Sequence, residues 1–355
     1  MLDVNGTTPV TSKTSLTACE KIYGNSAGTD YIDIRVNLSP SGSGSCTKTN
    51  IPVTVTASPW WQVLKGDVTA AGGLVRSPVS SSSEYICKKS SSSNLDAGGV
   101  FSSATISYSP GKISEGGTSP GYGLTYYTPR VSGVTYSALL NNVLKNGGLG
   151  TYQSLDAWFA SSGDASKTSG NYEVQAYDDQ ASFTAALYAA TNDNTDGVIN
   201  VIIPRTSAIA NVTVPSVNLR NNAKVIVFVK GNLTVNGNVT ADVPRSNSIV
   251  FVLNNSGGGD GNLSLSSSVG QLDGLYIFPG TFFDGGDPVS GSTKQLAGRG
   301  SLIATGNSLG SGFTRTYTTG NNPAQQWTYE PKYLIHYKNV LALPTYTWSE
   351  KLPSP

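Results

Sequence analysis

The chain has 355 residues and a formal net charge of +1, and only 13% of its residues are charged, about half the usual share for a soluble domain. Serine, threonine, asparagine and 40 glycines take their place. This argues against a helix-rich cytosolic enzyme, because Gly, Ser and Asn are weak helix formers, and it fits turn-rich extracellular β proteins. No charge imbalance recommends nucleic acid or an acidic membrane surface as a partner, and no apolar run approaches the roughly 18 residues of a membrane-spanning helix. The opening segment MLDVNGTTPVTSK has neither a basic n-region nor an apolar h-region. An exported protein with this start has lost its leader or belongs to a longer chain.

Residues 1–57 read as a small β module. YIDIRVNL, within 29–39, alternates apolar and polar residues as a half-buried strand does. SPSGSGS (39–45) is a turn or a hairpin tip, and NIPVTVTAS (50–58) a closing strand. The segment is short for a seven-stranded sandwich, so it is a partial Ig-like module or an ornament on the larger domain. Cys19 and Cys46 flank the first strand, and a disulfide between them is the expectation in an oxidising compartment. Cys87 is then left over. No CxxC or Cys/His spacing suggests a zinc site.

The second region runs from 58 to 355. PWWQVLKGDVTAAGGL opens it, with strands expected at Gln62–Leu64 and Asp67–Thr69. VSSSSEYICKKSSSS (79–93) has the composition of a surface loop. Two helices are expected in an insertion near 136–192. Over 136–148, Leu139, Leu140, Val143 and Leu144 recur at helical spacing and Gly147 supplies a stop. Over 178–192, Phe183, Leu187 and Ala190 share one face behind an acidic start.

Beyond them lies a repeat. Apolar runs begin at Val225, Ile249 and Leu275, and SLIAT at Ser301, in steps of 24, 26 and 26 residues. Shorter strands lie between them at 233–235, 238–240 and 263–265, with Asn and Gly at the turns. This spacing is the signature of a solenoid, here a right-handed parallel β-helix. Each coil presents the same inward stripe to the next, about 4.8 Å away, and the apolar side chains of the runs are expected to face a narrow dry core. Asn and Gly serve the corners because they tolerate positive φ.

Chemistry is thinly encoded. Asp260, Asp273, Asp284 and Asp287 fall within the repeat, and polysaccharide-active enzymes work with paired carboxylates. Most of these Asp stand beside Gly, where turn chemistry is the ordinary role. Asp284 and Asp287 on their Gly loop are also the candidate calcium ligands, since hard oxygen donors suit that ion; no other cofactor is indicated. His336 is the one histidine, and a hydrolytic triad built on it needs a serine and an acid within reach. No GxSxG elbow is present, so a packed or hydrogen-bonded histidine is the plain reading. Trp60, Trp61, Tyr122, Tyr126 and Tyr127 could form a glycan-stacking platform, although PWW also reads as the plug of an open solenoid end. Sequons stand at Asn5, Asn37, Asn211, Asn232, Asn238, Asn254 and Asn262.

Taken in order, PWWQVLKGDVTAAGGL, VIVFVKGNLTVNGNV, QLDGLYIFPGTF, KQLAGRGSLIAT and NNPAQQWTYEPKYLI resemble the C-terminal domain of large surface proteins of candidate-phyla (Patescibacteria) bacteria. In those proteins Ig-like repeats precede a WWQV-x-GDV segment. The motifs cover most of residues 58–341. The resemblance implies export, display at the cell surface and a β-solenoid domain; it implies no reaction and supplies no catalytic residues. The short N-terminal module departs from the expected stalk of repeats. The expected role is structural or adhesive: binding a cell-surface glycan or protein, or assembling with itself. The alternative is a lyase or glycoside hydrolase acting from the Asp-bearing face.

Overall fold

The computed structural model describes the strands and helices named below and, without a break, residues 61–66, 135–148, 166–192, 197–241, 246–255, 259–286, 294–306, 314–315 and 323–341. β1 (Gly28–Asn37) and β2 (Ser45–Val55) pair antiparallel, with Val36 opposite Cys46. The expected hairpin is therefore present, and among the described strands these two pair only with each other. Cys19, and with it the Cys19–Cys46 bond, lies outside the described residues.

Short coils come next. β3 (Trp61–Leu64), β4 (Val68–Ala70) and β5 (Leu74–Val75) form the sides of one coil. β6 (Tyr85–Lys88), β7 (Val100–Ser102) and β8 (Ile106–Ser107) form another. β9 (Lys112–Ser114) and β10 (Thr118–Pro120) belong to a third. Like sides stack in parallel, β3 on β6 on β9, β4 on β7 on β10, and β5 on β8. β6 corrects the loop expected at 79–93. Its Tyr, Ile and Cys suit a strand, and Cys87 pairs with Val63.

α1 (Tyr136–Asn146) forms where expected. The Thr135 hydroxyl caps it by accepting from the Ala138 N–H at 3.2 Å, and Leu139, Leu140, Val143 and Leu144 are buried. α2 (Gln153–Ala160) was not foreseen. β11 (Ser166–Ser169) pairs antiparallel with β12 (Tyr172–Tyr177). α3 (Gln180–Asn192) comes after it. Its start is a reciprocal box. The Asp179 carboxylate accepts the Ser182 N–H at 2.8 Å, and the Ser182 hydroxyl accepts the Asp179 N–H at 3.1 Å.

The main stack then climbs coil by coil. β13 (Ile199–Pro204), β14 (Asn211–Val214) and β15 (Val217–Leu219) make the first coil. β16 (Lys224–Val229), β17 (Asn232–Val235) and β18 (Val239–Ala241) make the second. β19 (Ser248–Leu253), β20 (Leu263–Leu265), β21 (Gln271–Phe278), β22 (Phe282–Phe283), β23 (Leu296–Ala304) and β24 (Gln325–Thr328) continue it. α4 (Lys332–His336) and α5 (Lys338–Leu341) close the described chain. The pairing is parallel from β12 to β24, as a β-solenoid requires.

Register agrees with the repeat at two of its three steps. Val225 pairs with Ile249 and Leu275 with Ser301, as expected. Leu275 pairs with Val250 rather than Ile249, so that step is 25 residues. A further coil, with Asn200 opposite Val225, lies below the first apolar run of the repeat.

The long strands bury both faces, which is why they read as unbroken apolar runs. Val225, Val227, Val229, Ile249, Phe251, Tyr276 and Phe278 point into the solenoid. Ile226, Phe228, Val250, Val252, Leu275 and Ile277 point outward, under α1, Tyr333, Tyr337 and Val340. The expectation that the whole run faces a narrow core is thus half right. The helices pack on different parts of the solenoid: α1 covers the outer sheet face, while α3 sets Phe183, Leu187 and Ala190 against the interior cluster. α3 therefore seals this end of the solenoid.

One strand order was not legible beforehand. The sheet runs β11-β12-β13-β16-β19-β21-β23-β24-β3-β6-β9. Trp61 pairs with Gln325 and Leu64 with Thr328, in parallel. The chain thus enters its own solenoid beside the last strand and builds outward to β9. It resumes at the other end and climbs back to meet its start. Trp61 lies inside the sheet and not at an end, which corrects the plug reading for that residue; Pro59 and Trp60 lie outside the described residues.

Candidate functional site

Of the polar residues nominated by the sequence, Asp284, Asp273 and His336 stand in three separate hydrogen-bonded clusters. At the corner after β22, the Asp284 side chain is buried, with 1% of its surface exposed. Its Oδ1 accepts the Gly286 N–H and the Thr314 hydroxyl, both at 2.9 Å. Its Oδ2 accepts the Arg315 N–H at 2.7 Å and the Gln325 amide. All four bonds come from protein donors. Asp287 lies outside the described residues, and among those described no three His, Cys, Asp or Glu are gathered as a metal cage.

Arg315, fully buried, was not singled out in the sequence. Its five N–H donors make five bonds. Nε and Nη2 donate to the Asp284 carbonyl at 3.0 and 2.7 Å, and Nη2 also to the Ser266 carbonyl at 3.2 Å. Nη1 donates to the carbonyls of Val269 and Lys294 at 2.6 and 3.0 Å. Burial lowers its pKa and the Asp284 charge pulls it back up. The guanidinium thus ties together the backbone of successive coils by supplying donors to buried corner carbonyls.

Asp273 is also fully buried. Its Oδ2 accepts the Ala241 N–H at 2.8 Å and the Gln271 amide at 3.0 Å. Ala241 ends β18, so the carboxylate satisfies a donor where the lower coil leaves the sheet. Burial pushes the Asp273 pKa up, against the pull of that N–H, of Arg299 and of Gln271. Beside it Gly274 and Gly300 stack in register at φ 138° and 131°. A Cβ at Gly300 would lie 1.9 Å from the Gly274 carbonyl oxygen, so only glycine fits this bend. Asp260, in contrast, is exposed.

His336 has found a serine. Its Nδ1 lies 2.8 Å from Ser248 Oγ. Ser248 is buried, and its hydroxyl donates to Tyr337 Oη at 2.9 Å. Tyr337 Oη also accepts the Val225 N–H at 2.8 Å, and lies within hydrogen-bond reach of the Ser248 and Val225 carbonyls, to one of which it donates. Proton counting then makes His336 Nδ1 the donor to Ser248, the reverse of a general base. The charges that act on the ring are the Lys224 and Lys332 ammoniums, of the wrong sign for a triad's acid. The cluster latches α4 and α5 to β16 and β19.

The latch makes stability pH-dependent. Burial first, then Lys224 and Lys332, lower the His336 pKa below its usual value. The unfolded chain then takes up the proton more readily than the folded one. Stability is full above about pH 6.5 and falls as pH drops through the lowered folded value. Urea midpoints at pH 7.5 and 5.0 are expected to fall further for the wild type than for His336→Gln, which keeps a donor without a titrating ring. Equal falls in both proteins contradict the latch.

The corner asparagines act through their side chains. Asn232 Oδ1 accepts the Asn262 N–H at 2.8 Å, and Asn262 Oδ1 the Thr281 N–H at 2.7 Å. Asn238 Oδ1 accepts the N–H groups of Gly270 and Gln271. Positive φ, the reason expected, applies at Asn221 and Asn222. Of the aromatic candidates, Trp61 is partly exposed in β3, while Trp60, Tyr122, Tyr126 and Tyr127 lie outside the described residues. Among the described residues no helix is long and apolar enough to cross a membrane. No protein-family model, curated protein or solved structure matches the chain.

Proposed function

We propose that this β-solenoid is a scaffold displayed at the cell surface of the organism that exports it. Its role is structural or adhesive: it holds a glycan or a protein partner, or another copy of itself. One observation carries the reading. Asp273, Asp284, Arg315, Ser248 and His336 are the groups best suited to chemistry, and their hydrogen bonds join coil to coil or helix to sheet. A fold that spends its polar side chains in this way is rigid along its length and offers long flat faces for recognition. The low charge and the abundance of Ser, Thr, Asn and Gly support an extracellular setting. The resemblance to bacterial surface proteins points the same way.

A glycan-array screen of the full chain, with mass spectrometry of each hit after incubation, tests this. Binding without change in the glycan is the expected result. Cleavage of any hit overturns the scaffold reading in favour of a polysaccharide-active enzyme and directs attention to the exposed Asp260. Silence on the array moves the binding role to a protein surface.

A further inference from the structure

The junction between β24 and β3 joins residues 264 positions apart in the chain, Gln62 and Gln326, whose side chains meet at 3.0 Å. Every other parallel step from β12 to β24 links successive coils. This one instead joins the coils of 61–120 to the far end of the stack. Its chemistry also differs from the layers below. There the interior is Val, Leu, Ile, Ala, Phe and Tyr. At the junction Gln62 and Gln325 are buried; the Gln62–Gln326 bond crosses it, while Gln325 bonds Asp284 and, at 3.4 Å, the Trp327 indole N–H on the β24 side. Val63 and Trp327 supply the apolar contact, with the Tyr329 N–H donating to the Leu64 carbonyl at 2.9 Å.

A polar junction separates at lower cost than an apolar one. Less apolar area is returned to water, and glutamines and strand groups find water partners once exposed. Separation leaves β24 as an open edge with its hydrogen-bonding row unpaired. The strand that fits that edge is β3, from the same chain or from another. Residues 121–134 join the two blocks and span up to roughly 50 Å when extended. We infer that the partner of the β24 edge is a second copy of this chain, which docks its coils 61–120 there in exchange for those of the first. No new complementarity is needed, because the contacts are those already made within one chain. This inference rests on the strand order and is independent of any glycan or surface role.

The test uses full-length chains carrying Gln62→Cys or Gln326→Cys. The two positions are direct neighbours on parallel strands, a spacing of about 4.8 Å that a disulfide can bridge. Nitrogen-15-labelled Gln62→Cys chains are mixed with unlabelled Gln326→Cys chains, unfolded in urea, refolded together and oxidised. Peptide mapping separates the new bond from those of Cys19, Cys46 and Cys87. A 62–326 linked peptide with one heavy and one light half, increasing with protein concentration, is the expected result. Its absence at every concentration, while a chain with both substitutions links 62 to 326 internally, overturns the exchange. A doubly substituted chain that forms no such bond overturns it as well, by removing the junction itself.

Discussion

Val227→Asp is expected to leave the solenoid unfolded. Val227 lies at the centre of β16, fully buried in the interior cluster between the neighbouring coils. A carboxylate there meets apolar side chains alone, and burying even a neutral polar group without a partner costs about 2–7 kcal/mol. A charge costs more, against a total stability of about 5–15 kcal/mol for a typical protein. Far-UV circular dichroism and gel filtration should show loss of β structure or aggregation. Thr234→Asp is the control, because Thr234 alternates with the buried Leu233 and Val235 on the partly exposed face of β17. A folded, monomeric Val227→Asp protein would mean that this row faces water.

The second large effect is expected at Arg315. Arg315→Ala removes five charged donors and leaves the carbonyls of Ser266, Val269, Asp284 and Lys294 short of a partner in a dry corner. Removing one side of a buried charged network costs about 3–5 kcal/mol. Arg315→Lys is expected to recover part of that, since an ammonium has three donors and no planar fork. Urea midpoints for the three proteins check the order wild type, Lys, Ala. Indistinguishable midpoints for wild type and Ala would show that the corner carbonyls find other partners.

How much of the fold is legible in the sequence depends on how local each signal is. The coils at Val225, Ile249, Leu275 and Ser301 announce themselves, because a strand buried on both faces writes a continuous apolar run. The one-residue difference at Ile249 arises because the steps vary between 24 and 26 residues and the runs have no internal phase. α1 and α3 are marked by their spacing, but their destinations are not. An apolar helical stripe says that something is covered, not whether it is a sheet face or a solenoid end. β6 is hidden by serines on both sides of a four-residue strand.

The candidate site is less legible. The Asp residues read as turn chemistry, and Asp284 does bond the Gly286 N–H two residues on. Its more consequential partner, Arg315, stands 31 residues further along, a distance at which no sequence pattern operates. Ser248 likewise meets His336 across 88 residues. The meeting of β24 with β3 leaves no local trace at all. Stacking order among coils is decided by which ends fit, and both strands are short, with glutamine at paired positions.

Amide hydrogen exchange on the full chain tests most directly whether the first coil lies inside the sheet. If β3 is paired on one side to β24 and on the other to β6, the amides of Val63 and Leu64 are protected together with those of Gln326–Thr328, well above the level of a strand at an open edge. Rapid exchange across Trp61–Leu64, with protection retained in β16, β19 and β21, would contradict that placement and leave the solenoid ending at β24.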